Sequence, residues 1–96
     1  MLVRLLAQQV RRLSELLVEA YTVDADVRVA RRLLELSEEY GTVVPLTQEQ
    51  LAGLAGTSRA TANRVLRHLE RAGVLSLGRG RTAVVDREAL ARAAGR

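Results

Sequence analysis

Apolar residues in the first twenty-two positions recur at Val3, Leu6, Val10, Leu13, Leu17 and Ala20, with alternating spacings of three and four. That is a heptad seam without a polar interruption, and it predicts one helix over residues 2–22. A second row (Leu2, Leu6, Gln9, Leu13, Leu16, Ala20) shares members with the first and widens the apolar face. Leaving Val3, Leu6, Val10, Leu13 and Leu17 wet would forfeit about 1.5–3 kcal/mol each, comparable in sum to the whole stability of a small domain. The face therefore needs a cover. The seam favours a second copy of the same helix over burial against the residues that follow, and a homodimer is expected.

A second helix is predicted over residues 24–40. Asp24 or Asp26 caps it, Val29, Leu33, Leu36 and Tyr40 mark one face with Ala30 and Leu34 beside it, and Gly41 stops it. Residues 42–46 read as an extended connector or edge strand containing Pro45. Thr47 and Gln50 have the spacing of a capping box before a short helix, 48–55, with Leu51, Leu54 and Ala55 inward and Gly56 at its end. Ser58 caps a further helix from Arg59 to about Ala72, closed by Gly73. Two short apolar runs, 74–77 and 82–85, flank Gly78-Arg79-Gly80-Arg81 as a hairpin tip, and Asp86 caps a last helix from Arg87 to about Ala94. The expected fold is mainly α with a small β-hairpin: a winged helix-turn-helix preceded by a long dimerisation helix. The expected division is residues 1–23 for the dimerisation helix and 24–96 for the winged domain.

Charge sharpens this picture. The chain has 96 residues, fifteen of them arginine, none lysine, and a net charge of +4. Residues 1–46 carry a net −1, whereas residues 59–81 alone hold six arginines against the single acid Glu70. Basic charge concentrated in one stretch points to a polyanion. At about 100° per residue, Ala62, Val65, Leu66, Leu69 and Ala72 fall within an arc of about 120° on the inner side of helix 59–72. Ala60, Asn63, Arg64, Arg67 and Arg71 fall opposite, and Arg59 lies on the shoulder. Such a face suits the major groove of double-stranded DNA. Arginine can form two parallel bonds to guanine, asparagine can do the same to adenine, and a small residue such as Ala60 permits close approach. Ser58, Thr61 and the free N–H groups at the helix start suit a phosphate oxygen, and Arg79 and Arg81 at the hairpin tip suit flanking phosphates or the minor groove.

Other chemistry is excluded or weak. The absence of cysteine removes disulfides and thiolate ligands, and the single histidine, His68, removes a multi-histidine metal site. His68 lies about 80° from the outward centre of its helix, at the boundary of the core. Tyr21 and Tyr40 read as packing residues. No nucleophile has a base to activate it, so no catalytic, metal or cofactor site is expected and the chain is not an enzyme. Arg4, Arg11 and Arg12 interrupt the first leucines, so neither a signal peptide nor a membrane span is expected, and a reducing cytoplasm is the expected location. The alternative function is a protein-interaction module, its seam helix paired with another protein and its basic face meeting an acidic partner.

The segment LTQEQLAGLAGTSRATANRVLRHLERAGVLSLGRGRTAVVD, Leu46 to Asp86, resembles the winged helix-turn-helix of the CRP/FNR family of bacterial transcription regulators. Its T-x-x-x-L-A-x-x-x-G-x-S-R-x-T-x-x-R-x-L-x-x-L-x-x-x-G-x-[IVL] run carries the likeness, and Arg4 to Leu36 resembles the end of that family's dimerisation helix and the helix after it. The resemblance implies a palindromic DNA site, with base contacts from Arg59, Ala60 and Arg64 and a further contribution from Asn63. It implies phosphate contacts at Thr47, Ser58 and Thr61, joined by Arg67 and the tip arginines Arg79 and Arg81. Ala60 stands where a cytosine-accepting glutamate is common, which implies a different half-site. The resemblance also implies that the chain begins inside the dimerisation helix of a longer regulator, whose effector domain is absent from these residues. RNA polymerase is then a further candidate partner. Leu16 and Leu17 stand where cyclic-AMP-responsive members place a Thr-Ser pair, which argues against a cyclic-AMP contact from this helix.

Overall fold

The computed structural model describes residues 2–22 and 24–95, and the side chains of all these except 18–22. Five helices and three short strands follow in the order α1 (Leu2–Thr22), α2 (Ala25–Tyr40), β1 (Val43–Val44), α3 (Gln48–Ala55), α4 (Arg59–Arg71), β2 (Leu75–Gly78), β3 (Arg81–Val84) and α5 (Arg87–Ala93). The expected seam residue Ala20, the packing role of Tyr21 and the boundary at Val23 lie outside the described side chains and residues.

Local chemistry explains the element ends. Thr47 and Gln50 form the full capping box: Thr47 Oγ1 accepts from the Gln50 amide at 3.1 Å, and the Thr47 amide donates to Gln50 Oε1 at 2.8 Å. Ser58 Oγ accepts from the Thr61 amide at 3.1 Å to start α4, and Asp86 Oδ1 accepts from the Ala89 amide at 3.0 Å to start α5. Asp24 holds the N-cap position of α2 without a side-chain cap bond. Helix α4 closes with a paired C-terminal motif. Gly73 adopts φ 78°, its amide donates to the Glu70 carbonyl at 3.0 Å, and the Val74 amide donates to the Leu69 carbonyl at 2.9 Å. Leu69 and Val74 are both buried, supplying the apolar contact that accompanies this ending.

Helix α2 lies at the centre. Its Val29, Ala30, Leu33 and Leu34 join Leu51 and Ala55 of α3, Val65, Leu66 and Leu69 of α4, Leu75 and Val84 of the hairpin, and Leu90 of α5 in one core. The sheet has strand order β1-β3-β2, all antiparallel, with Val43 opposite Ala83 and Gly78 opposite Arg81. The fold is thus a winged helix-turn-helix, α3 and α4 being the two helices and β2–β3 the wing.

Several details depart from the sequence pattern. Leu54 is exposed: the buried side of α3 is set by Leu51, Ala52 and Ala55, and its centre is turned away from Leu54. Ala72 is exposed because α4 ends at Arg71 and the next residue lies at the rim of the buried arc. Tyr40 is exposed because the last turn of α2, with Glu38 and Glu39, runs past the core. His68 is exposed rather than at the core boundary. The wing loop is only Arg79-Gly80, with Gly80 at φ 67°, because Gly78 and Arg81 pair in the ladder. Val74 lies outside its expected strand: its amide serves the α4 cap, and its carbonyl accepts from Val85 and Asp86.

Helix α1 is different. Val3, Leu6, Val10, Leu13 and Leu17 are between 56% and 78% exposed, so among the described residues nothing covers this part of the seam. Its described polar tie to the domain is Arg12, whose Nη2 lies 3.1 Å from Glu35 Oε2, the same oxygen that accepts from the buried Arg32.

The wing is tied to α4 by Glu70. Its Oε2 accepts from the Leu77 amide at 3.0 Å and its Oε1 accepts from Arg67 at 3.1 Å. The Leu77 amide, then Arg67 and Arg71, hold the carboxyl below its ordinary value of 4.5. A lowered folded-state value means that the stabilising contribution is present above the ordinary value and is lost as pH falls through the lowered one. Wild type should therefore melt higher than Glu70→Gln near neutral pH, and the gap should close as the solution is acidified below the ordinary carboxylate range. Thermal melts of both proteins across acid pH measure this.

Candidate nucleic-acid interface

The packing of α4 decides which side chains look outward. Ala62, Val65, Leu66 and Leu69 are buried, so Arg59, Ala60, Arg64, Arg67 and Arg71 are left exposed along the other side. The helix begins at the N-cap Ser58, whose Oγ accepts from the Thr61 amide at 3.1 Å and also lies 3.0 Å from Thr61 Oγ1. Guanidinium groups, hydroxyls and the start of a helix thus share one surface, a combination suited to phosphate and to base edges.

Three polar pairs set the side-chain positions on this face. Asn63 is half-buried, and its Nδ2 donates to Gln48 Oε1 of α3 at 2.7 Å. Arg64 reaches back to α2, with Nη2 3.3 Å from Asp26 Oδ1. Arg67 is held by Glu70 one turn along its own helix. The latter two pairs are solvent-accessible and therefore weak, so a stronger acceptor can displace them.

A cleft of about 310 Å³ opens between the start of α3, the start of α4 and the wing. Thr47, Gln48, Glu49, Arg59, Arg79 and Arg81 are among the residues that line it, so residues far apart in sequence converge on one recess whose three arginines outnumber its one acid. The Arg81 side chain lies back across Gly78, its paired residue in the ladder. Arg64, Arg67 and Asn63 are not among the cleft-lining residues; they continue the surface along α4.

Each sequence-derived candidate is therefore placed. Thr47, Arg59, Arg79 and Arg81 meet in the cleft, Ser58 and Thr61 stand at the α4 start, and Ala60, Asn63, Arg64 and Arg67 follow along the helix. Four further residues support the site without a sequence signal. Gln48 holds Asn63, Asp26 holds Arg64, and Glu70 ties the wing. Arg28 fixes the turn between the two helices, with Nε donating to the Ala55 carbonyl at 3.0 Å and Nη2 to the Gly56 carbonyl at 3.4 Å. Each looks like an ordinary helix-surface residue in the pattern, because its partner lies on a different element. Among the described residues, no group of three histidine or acidic side chains could hold a metal ion, and no helix is long and apolar enough to cross a membrane.

Comparison with known proteins agrees with this geometry. Residues 27–93 match the Crp-like helix-turn-helix domain. The chain is 36% identical over 101 aligned residues to the CRP-like cAMP-activated global transcriptional regulator of Mycobacterium tuberculosis, covering 97% of this chain and 45% of that protein. It resembles the catabolite activator protein of Thermus thermophilus with a TM-score of 0.72 and 37% identity, over 98% of this chain and 45% of that one. A crp/fnr-family transcriptional regulator from Eubacterium rectale gives a TM-score of 0.86 at 26% identity, over 97% and 44%. The chain spans somewhat under half the length of these relatives, which are regulators of transcription rather than enzymes. With its capped helix pair, wing and matching residues 27–93, the chain belongs to the Crp-like helix-turn-helix domain family.

Proposed function

We propose that this chain is the DNA-contacting part of a transcription regulator that binds double-stranded DNA sequence-specifically as a twofold dimer. The observation that carries the reading is the exposed guanidinium side of the capped helix α4, continuous with an arginine-lined cleft beneath the wing. In this reading α4 enters the major groove. Arg59 and Arg64 read bases, Asn63 contributes, and Ala60 lets the helix approach closely. Thr47, Ser58, Thr61, Arg67, Arg79 and Arg81 hold phosphates, fixing the register in which the readers work.

The dimer reading rests on the uncovered seam. Two copies of α1 would remove Val3, Leu6, Val10, Leu13 and Leu17 from water, and two α4 helices would face half-sites about one helical turn, roughly 34–36 Å, apart. Residues 1–23 then serve pairing and residues 24–96 serve DNA. An effector, such as the cyclic nucleotide that activates the M. tuberculosis relative, acts in this reading on a part of the regulator outside residues 1–96. Contact with RNA polymerase and a cytoplasmic location accompany a transcription role. The interaction-module alternative predicts no salt-dependent binding to duplex DNA, so a mobility shift with a random-sequence duplex across salt concentrations separates the two.

Selection of bound oligonucleotides from a random pool should return a site with twofold symmetry. Against that site, Arg64→Ala should cost about 1–3 kcal/mol and relax preference at one base position; unchanged selectivity would remove Arg64 as a reader. Arg79→Ala should weaken binding to all duplexes alike and flatten the salt slope by about one unit, measured by titration at several salt concentrations. Val10→Asp should shift the chain from dimer to monomer in sedimentation equilibrium while leaving the circular dichroism of residues 24–95 intact.

A further inference from the structure

Asp26 stands in the first turn of α2, and Arg64 in the middle of α4, thirty-eight positions later. Asp24, not Asp26, holds the N-cap position of α2, and the described contacts of the Asp26 carboxylate are with Arg64 alone. The contact is a single one, Nη2 to Oδ1 at 3.3 Å, and the two side chains are 62% and 58% exposed. Glu70, by comparison, holds Arg67 but also accepts the Leu77 amide, so its carboxylate has a structural task.

We propose that Asp26 is a selectivity residue: its carboxylate occupies Arg64 on unrelated DNA and yields it only to a base edge that can accept two bonds. The inference rests on the reading of Arg64 as a base reader. Three acceptors compete for that guanidinium. A phosphate offers one charge-assisted bond in a wet environment, much like the carboxylate already present. Guanine offers two parallel bonds to O6 and N7 in the groove, away from bulk water. Asp26 therefore cancels the gain from the first kind of contact but not from the second. Its own charge also repels a phosphate brought close to Arg64. Without Asp26, Arg64 would be one more free cation for any duplex, strengthening non-specific binding and narrowing the margin by which the correct site wins.

The test uses the full chain with a duplex from the selection above and a scrambled duplex of equal length. Wild type, Asp26→Asn, Arg64→Ala and the double variant are compared, with dissociation constants measured between about 50 and 200 mM salt. One added phosphate contact changes affinity about threefold over that range. Asp26→Asn should bind the scrambled duplex about threefold more tightly at the low-salt end, with a salt slope steeper by about one unit. The selected duplex should gain less, so the specificity ratio falls. In the Arg64→Ala background, where only the repulsion by the carboxylate is relieved, Asp26→Asn should tighten the scrambled duplex clearly less than it does with Arg64 present. Asp26→Glu, which keeps the charge on a longer arm, should retain wild-type selectivity.

An unchanged affinity for scrambled DNA in Asp26→Asn overturns the proposal. So does equal tightening with and without Arg64, which would mark a simple change in net charge. If wild type binds no duplex at all, the DNA reading falls first and the proposal falls with it. Wild-type binding without coupling between the two positions removes the proposal alone.

Discussion

Burial of one side of α4 against α2 is the constraint on which the rest depends. Ala62, Val65, Leu66 and Leu69 enter a core led by Val29, Leu33 and Leu34, and this fixes the rotation of α4 about its own axis. A helix turns about 100° per residue, so a shift of one position would bring a charged residue toward that core. Burying a guanidinium without partners costs far more than any surface contact returns. The apolar residues therefore hold the arginines outward, and the interface is a by-product of packing as much as a surface in its own right.

Rotation alone does not complete the site. The α3 turn, the α4 axis and the wing must keep fixed relations, and a few polar contacts at the edge of the core hold them. Arg28 takes the otherwise free carbonyls at the end of α3, where a cation also suits the helix dipole. Glu70 joins the last turn of α4 to the first strand of the wing. Gln48 holds Asn63 from the neighbouring helix. These residues touch three different junctions, so the cleft is shaped by contacts whose members do not line one another in sequence.

That distribution explains what could be read from the chain and what could not. Helix limits were legible because their signals are local: Thr47 with Gln50, Ser58 before α4, Gly73 after it, Asp86 before α5. The inward side of α4 was legible because thirteen residues give the periodicity room to show itself. In α3, only eight residues long, the same reasoning misplaced Leu54, since Ala52 shifts the buried centre and a small residue barely registers as apolar. The wing was recognised, but its limits moved by one residue because the Val74 backbone is claimed by the helix cap. The exposed seam of α1 followed from its heptads. The pairing of Arg64 with Asp26 had no such signal, because nothing in the spacing of the two residues records that α2 and α4 cross there.

The smallest strand has the widest effect on how this domain can be rebuilt. β1 comes before the helix pair, yet its two residues zip onto β3, which comes after it. The helix-turn-helix is thus enclosed in a loop whose two ends are stitched together, a closure that costs chain entropy and must form late relative to local helices. The wing is consequently not an independent module. Transplanting a hairpin from a relative in place of residues 75–84 alone would leave Val43 and Val44 facing a foreign edge, and a functional exchange has to carry both segments together.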